Sequence, residues 1–161
     1  MTRTLISAVL LPLAYSFLLL SSYGATELKL NPNLDYSSDS NDGPLITGVS
    51  MTDGKINPGK PAHIIFYHRE CYNSKRQAKM TVELYGMYEG KVDFIVVDLD
   101  TEISDEQKEL KTRFYRNYIP HVTIIDGDGK IVYNSSGEVT ADSLSKILDK
   151  ALEDPDGSAQ R

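Results

Sequence analysis

The stretch Phe66-Tyr67-His68-Arg69-Glu70-Cys71-Tyr72-Asn73-Ser74-Lys75 decides how this chain is read. Its first residues close a run of β-formers, Ala62-His63-Ile64-Ile65-Phe66-Tyr67. Such a short, continuous apolar run suits a strand covered on both faces. From Ser74 to Tyr88 strong helix formers follow, and Glu89-Gly90-Lys91 ends them with Gly90 as a left-handed cap. The only cysteine of the chain therefore stands where a strand hands over to a helix.

Working outward, Phe94-Ile95-Val96-Val97 reads as a second buried strand, followed by an Asp/Thr/Glu loop. Ser104-Asp105-Glu106-Gln107 has the spacing of a capping box and opens a helix to about Tyr115. His121–Ile125 is a third strand, Asp126-Gly127-Asp128-Gly129 a turn, and Lys130–Tyr133 the returning strand of a hairpin. Thr140 caps a last helix in which Leu144, Ile147, Leu148 and Ala151 recur at helical spacing. Strand, helix, strand, helix, hairpin, helix is an α/β order. It predicts a parallel pair joined by a helical crossover, a mixed sheet, and helices on both faces.

With these elements in place, residues 61–152 resemble the thioredoxin family. Three features carry the resemblance. The segment around Cys71 is similar to the family's strand-to-helix active-site segment, including Lys75 after the motif. Tyr118-Ile119-Pro120 is similar to the Ile-Pro that precedes the third strand, where the proline is cis and faces the active cysteine. Gly137 falls where the family has a glycine after the hairpin. The resemblance implies a three-layer α/β/α fold and a groove for extended protein clients lined by Tyr72, Ile119, Pro120 and His121. In that groove the backbone before the proline pairs with the client.

The departures from the family pattern form a set. Ser74 stands in place of the second motif cysteine, Tyr72-Asn73 in place of Gly-Pro, and Glu70 in place of the tryptophan beside the first cysteine. The buried acid beneath the family's active site corresponds to Ile65, and its lysine partner to Val96. The attacking second thiol and the group that takes its proton are both missing. What remains is monothiol chemistry: exchange, isomerisation, or covalent capture of a client, with an outside thiol resolving the mixed disulfide. The other reading is a redox-inactive module that binds a partner through the same groove.

A helix N-terminus and nearby cations favour a thiolate, and a neighbouring anion disfavours it. Cys71 meets the first condition. Arg69, Lys75 and His68 are the candidate cations, Glu70 is the opposing anion, and Ser74 lies one helical turn on as a hydroxyl donor toward sulfur. The expected catalytic set is Cys71, Ser74 and Lys75. A third, weaker reading joins Cys71 with His68 and His121 as metal ligands, but their spacing matches no recognised site. No metal and no cofactor are expected at the site. Asn134-Ser135-Ser136 fits the glycosylation sequon.

A net charge of −6 argues against nucleic acid, whose binding needs phosphates neutralised by Lys and Arg. Arg3, the apolar run Leu5–Leu20 and the small residues Ser21, Ser22 and Gly24 have the order of a signal peptide. Residues 1–24 are thus a signal peptide or an N-terminal membrane anchor, and the protein is expected to be exported. Residues 25–60, rich in Asn, Ser, Asp, Gly and Pro, read as a flexible linker with a short edge strand near Leu45–Val49; residues 153–161 read as a polar tail. With one cysteine no internal disulfide can form, and the lone thiol is reactive or intermolecularly paired; the resemblance implies protein clients carrying thiols or disulfides, and an external resolving thiol, as partners.

Overall fold

A computed structural model describes residues 27–39, 43–48 and 54–153. The expectations for residues 1–24 and for the tail after Glu153 lie outside these residues. In chain order the elements are β1 (Lys29–Leu30), β2 (Ile46–Thr47), β3 (Ala62–Tyr67), α1 (Tyr72–Tyr88), β4 (Asp93–Asp98), α2 (Asp105–Phe114), β5 (His121–Ile125), β6 (Ile131–Ser136) and α3 (Ala141–Glu153). The main sheet has the order β4-β3-β5-β6, with β3 and β4 parallel and the other pairs antiparallel.

The period-2 geometry of strands sorts the apolar residues into two layers. Ile65 and Tyr67 of β3, Phe94 and Val96 of β4, and Val122 and Ile124 of β5 pack with Ala78 and Leu84 of α1 and Leu144 and Leu148 of α3. The alternate residues Ile64, Phe66, Ile95, Val97 and Ile125 pack with Leu110 and Phe114 of α2. A continuous apolar run thus serves two cores at once, which gives the expected three layers. The capping box of α2 is present, with Ser104 Oγ accepting from Gln107 N at 3.2 Å. Thr140 Oγ1 caps α3 by accepting from Ser143 N at 3.2 Å.

Where residues 25–60 are described, the expected flexible linker is instead packed against the domain, and the short strand expected near Leu45–Val49 is present as β2. Leu28, Leu45 and Ile46 are fully buried in the core beside α1, and β1 pairs antiparallel with β2. Leu45 N donates to Tyr67 Oη at 3.2 Å, and Tyr36 Oη donates to the Leu45 carbonyl. Residues 54–60 are also fastened. Asn57 N and Lys60 Nζ reach the two Asp93 carboxylate oxygens at 2.9 and 2.8 Å, and Gly59 N donates to the Gly127 carbonyl at 3.0 Å. Turn-forming residues surround the few aliphatic ones here, so no periodicity betrays their burial.

Candidate functional site

Cys71 is the N-cap of α1, with extended backbone (φ −81°, ψ 117°) and no capping bond from its side chain. Its own N–H donates back to the His68 carbonyl at 3.4 Å, and its carbonyl accepts from Lys75 N at 3.0 Å. The turn His68–Cys71 and the first helical bond therefore fix the residue at both ends. The thiol is half-buried and free, and it opens onto a cleft of about 440 Å³ lined by Asp39, Glu70, Cys71, Tyr72 and Asn73. The unpaired N–H groups of the first turn of α1 lie at this position, where a helix favours negative charge.

Sheet register brings Ile119-Pro120 to the same end of the fold. Phe66 pairs with His121 across β3 and β5, so Tyr67 and Pro120 are the next residues outward on the two antiparallel chains. The Ile119-Pro120 peptide bond is cis, and the Pro120 carbonyl accepts from Gly137 N at 2.8 Å. Gly137 has φ +96°, a conformation that glycine adopts without strain. A family model described as the thioredoxin-like domain matches residues 55–152.

The chain belongs to the thioredoxin-like family. Among solved structures, it is similar to an uncharacterized thioredoxin-like protein from Clostridium perfringens, at 20% identity and TM-score 0.53, covering 69% of this chain and 85% of that one. StoA from Bacillus subtilis has 18% identity and TM-score 0.48, with coverage of 56% and 84%. Thioredoxin-2, a component of the malaria parasite's protein secretion machinery, has 17% identity and TM-score 0.48, with coverage of 56% and 82%. Among curated proteins none matches this sequence. At these identities the likeness is one of fold.

The thioredoxin-like site is altered beneath as well as at its surface. Ile65 and Val96, the positions that the resemblance matches to an acid and a lysine, are register partners in the parallel β3–β4 pair and are both fully buried in apolar surroundings. Neither of these two side chains can accept a proton. Ser74 occupies N3, the position whose side chain reaches back toward the N-cap in a capped helix. Its hydroxyl is fully buried and has no hydrogen-bond partner among the described residues.

The cations that the sequence placed beside Cys71 are engaged elsewhere. Lys75 is fully buried, and its ammonium donates to the Asp35 carbonyl at 2.7 Å, so it ties α1 to the N-terminal segment. Arg69 Nε donates to Asp98 Oδ2 at 2.7 Å, and Arg69 N donates to Asp100 Oδ2 at 2.6 Å. His68 Nδ1 donates to Asp100 Oδ1 at 2.7 Å. Partial burial pushes the Asp100 carboxyl up, but the bonds from Arg69 and His68 and their charges outweigh it and leave the group below its ordinary value.

His121 is not at the groove. Its ring is buried against Phe66 and Tyr115 on the α2 side of the sheet. Asn134 Oδ1 can only accept, so His121 Nε2 donates to it at 2.7 Å, leaving Nδ1 to accept from Ser136 Oγ at 2.7 Å. Burial pushes the imidazole below its ordinary value, and the nearby Arg116 charge adds to that. Because residues alternate along β5, Pro120 and His121 face opposite sides. The set Cys71, His68 and His121 is therefore not assembled, and no group of three or more potential ligands occurs among the described residues. Asn134 Oδ1 also accepts from Thr123 Oγ1 at 2.7 Å, so the side-chain oxygen of the sequon asparagine is held by β5.

Three contributors escaped the sequence reading. Tyr67 and Asp98 are register partners, and buried Tyr67 Oη donates to Asp98 Oδ2 at 3.3 Å while Arg69 holds the same oxygen. Burial first, and then the Asp98 charge, push the Tyr67 phenol well above its ordinary range. The signal was an aspartate closing an otherwise apolar strand. Asp39, the third, forms one wall of the cleft from a distant segment and left no local signal.

Proposed function

We propose that this protein is an exported thioredoxin-like protein that performs monothiol thiol–disulfide exchange on protein clients through Cys71. The observation that carries the reading is the placement of a half-exposed cysteine at the N-cap of α1, at the sheet end where register also delivers the cis Ile119-Pro120 pair. Export rests on the order of residues in 1–24. Among the described residues no helix is long and apolar enough to cross a membrane.

In the reaction the Cys71 thiolate donates its electron pair to one sulfur of a client disulfide. The new bond joins Cys71 to that sulfur, the old S–S bond breaks, and the second client sulfur leaves as a thiolate that takes a proton from water. Ser74 cannot resolve the product, because a hydroxyl does not attack sulfur as a thiolate does. Release therefore falls to an outside thiol or to a second cysteine of the client. Ser74 lies one helical turn beyond Cys71, and its buried hydroxyl makes no hydrogen bond to the sulfur in the resting fold. Tyr72 and the Ile119-Pro120 backbone supply the groove for an extended client.

Incubating the full chain with a peptide disulfide, followed by intact mass, tests the reading. The expected product is one mixed disulfide on Cys71, discharged by a small added thiol. A thiol that reacts only after denaturation would overturn the proposal. It would favour the alternative, a redox-inactive binding module, for which the apolar Ile65–Val96 pair is the supporting observation.

A further inference from the structure

A second set of chemically capable side chains lies on the α2 side of the β5–β6 pair. His121 is fully buried, and Ser136, its register partner on β6, is half-buried. The Pro120 carbonyl accepts the Gly137 N–H, so these two residues are a bonded pair of the antiparallel ladder. His121 and Ser136, one step along, are therefore a non-bonded pair, the kind that brings side chains closest. Ser136 Oγ stands 2.7 Å from His121 Nδ1, and His121 Nε2 donates to Asn134 Oδ1 at 2.7 Å. Thr123 Oγ1 donates to the same amide oxygen and fixes it toward the ring. The ring proton is thereby held on Nε2, and the Nδ1 lone pair is turned to the serine hydroxyl.

Burial and the Arg116 charge keep this imidazole neutral at rest, while Asn134 and the Phe114 carbonyl favour its protonated form. The base is thus available, and the cation it becomes on taking a proton has partners in place. Ladder alternation also turns the Ser136 N–H away from β5, toward the open edge of the sheet, since β6 is last in the strand order. A backbone donor therefore stands beside the hydroxyl on the side that a ligand reaches.

From this geometry we infer that Ser136 is a nucleophile with His121 as its general base, and that it takes acyl groups from small carboxylic esters. Asn134 is a positioning residue that holds the ring in the required tautomer. Ser136 Oγ bonds to the ester carbonyl carbon while its proton passes to His121 Nδ1, and the carbonyl electron pair moves onto oxygen beside the Ser136 N–H. The bond from that carbon to the alcohol oxygen then breaks, and the departing oxygen takes the proton from His121. Water, giving a proton to the same nitrogen, attacks the acyl-serine, releases the carboxylic acid and restores the hydroxyl. None of these steps uses Cys71, so the inference stands or falls apart from thiol exchange.

The test uses the full chain carrying Cys71→Ser, which removes the competing thiol and supplies a residue favoured at an N-cap. With p-nitrophenyl acetate at neutral pH, nitrophenolate release above the buffer rate should fall by about ten-fold or more when Ser136→Ala is added. After an acid quench, peptide mass mapping should place an acetyl group on Ser136. Asn134→Asp puts a carboxylate behind the ring and should raise the Ser136-dependent rate by about five-fold or more, a gain that a network serving the fold alone does not give. Ser136 is half-buried on an edge strand, so its hydroxyl can be removed without opening the core. Release that Ser136→Ala leaves unchanged, or acetyl groups confined to lysine and tyrosine side chains, overturns the inference. A rate that folded Asn134→Asp lowers or leaves unchanged overturns it as well.

Discussion

The ammonium of Lys75 donates to the backbone carbonyl of Asp35 across 40 positions of sequence, at 2.7 Å. A lysine that sequence position assigns to the cysteine thus fastens the N-terminal segment to α1. Lys75→Met keeps the buried stem and removes the charged donor. It should cost about 2 kcal/mol, the value of a hydrogen bond to a charged group. Hydrogen exchange should rise at Leu45 N, which is bonded to Tyr67 Oη, more than in the β3–β5 ladder. Urea unfolding and amide exchange check this. A variant with full stability and unchanged exchange would show that the contact holds nothing.

Ser74 buries a hydroxyl without a partner beside the N-cap. Ser74→Ala relieves that desolvation and should raise stability by about 1 kcal/mol. The same change should leave the rate of mixed-disulfide formation within about two-fold, because the hydroxyl makes no hydrogen bond to the sulfur. Ser74→Cys restores a Cys-x-x-Cys motif and should form a reversible internal disulfide under mild oxidant, which takes up two electrons and two protons, read as the loss of two hydrogens in mass. Retention of both protons under oxidant would place the side chains at 71 and 74 out of reach of each other.

His63 is fully buried, stacked on Phe94 with ring centroids 5.1 Å apart, and neither ring nitrogen has a partner among the described residues. Burial lowers its pKa to about 4 in the folded protein. The ordinary value near 6.5 applies when unfolded, so the unfolded chain takes up the proton first as pH falls. Stability is therefore highest above about pH 6.5 and declines toward pH 4, by about 3 kcal/mol for this group. His121, also lowered, acts in the same direction. His63→Phe should flatten the profile over that window without abolishing it. Denaturant midpoints at pH 4.5 and 7.5 for both chains measure the difference.

Gly54 has φ +51°, and a Cβ there would lie 2.9 Å from Gln107 N in the first turn of α2. Gly54→Ala combines a strained backbone with a clash against main chain. It should cost about 2 kcal/mol. Gly59, at φ +77°, meets nothing within 4 Å, so Gly59→Ala should cost about 1 kcal/mol from backbone strain alone. Thermal unfolding of the two variants separates the contact from the conformation.

Much of the architecture was legible because it is local. The continuous apolar runs of β3 and β4, the Ser104–Gln107 box, and helical spacing from Leu144 to Ala151 each depend on neighbours within a few residues. In residues 27–39 and 43–48 only the short strand near Leu45–Val49 was legible, and the burial was not. Leu28, Leu45 and Ile46 enter the core singly, from turns whose composition resembles a linker. At the site, the place of Cys71 at a helix start and the cis Ile119-Pro120 bond followed from the motif. The roles of Lys75 and His121 did not, since each side chain found its partner in a strand or turn distant from the motif.

By itself the sequence determined the order of elements, the single thiol, and the loss of the second cysteine together with the acid–lysine pair, because all of these are residue identities or short-range patterns. Only the tertiary structure decided which charges face Cys71. Arg69 meets Asp98 29 positions away, Lys75 meets Asp35 40 positions away, and Asp39 arrives at the cleft from the N-terminal segment. Electrostatic interactions depend on separation in space, and chain packing, not spacing along the chain, sets that separation.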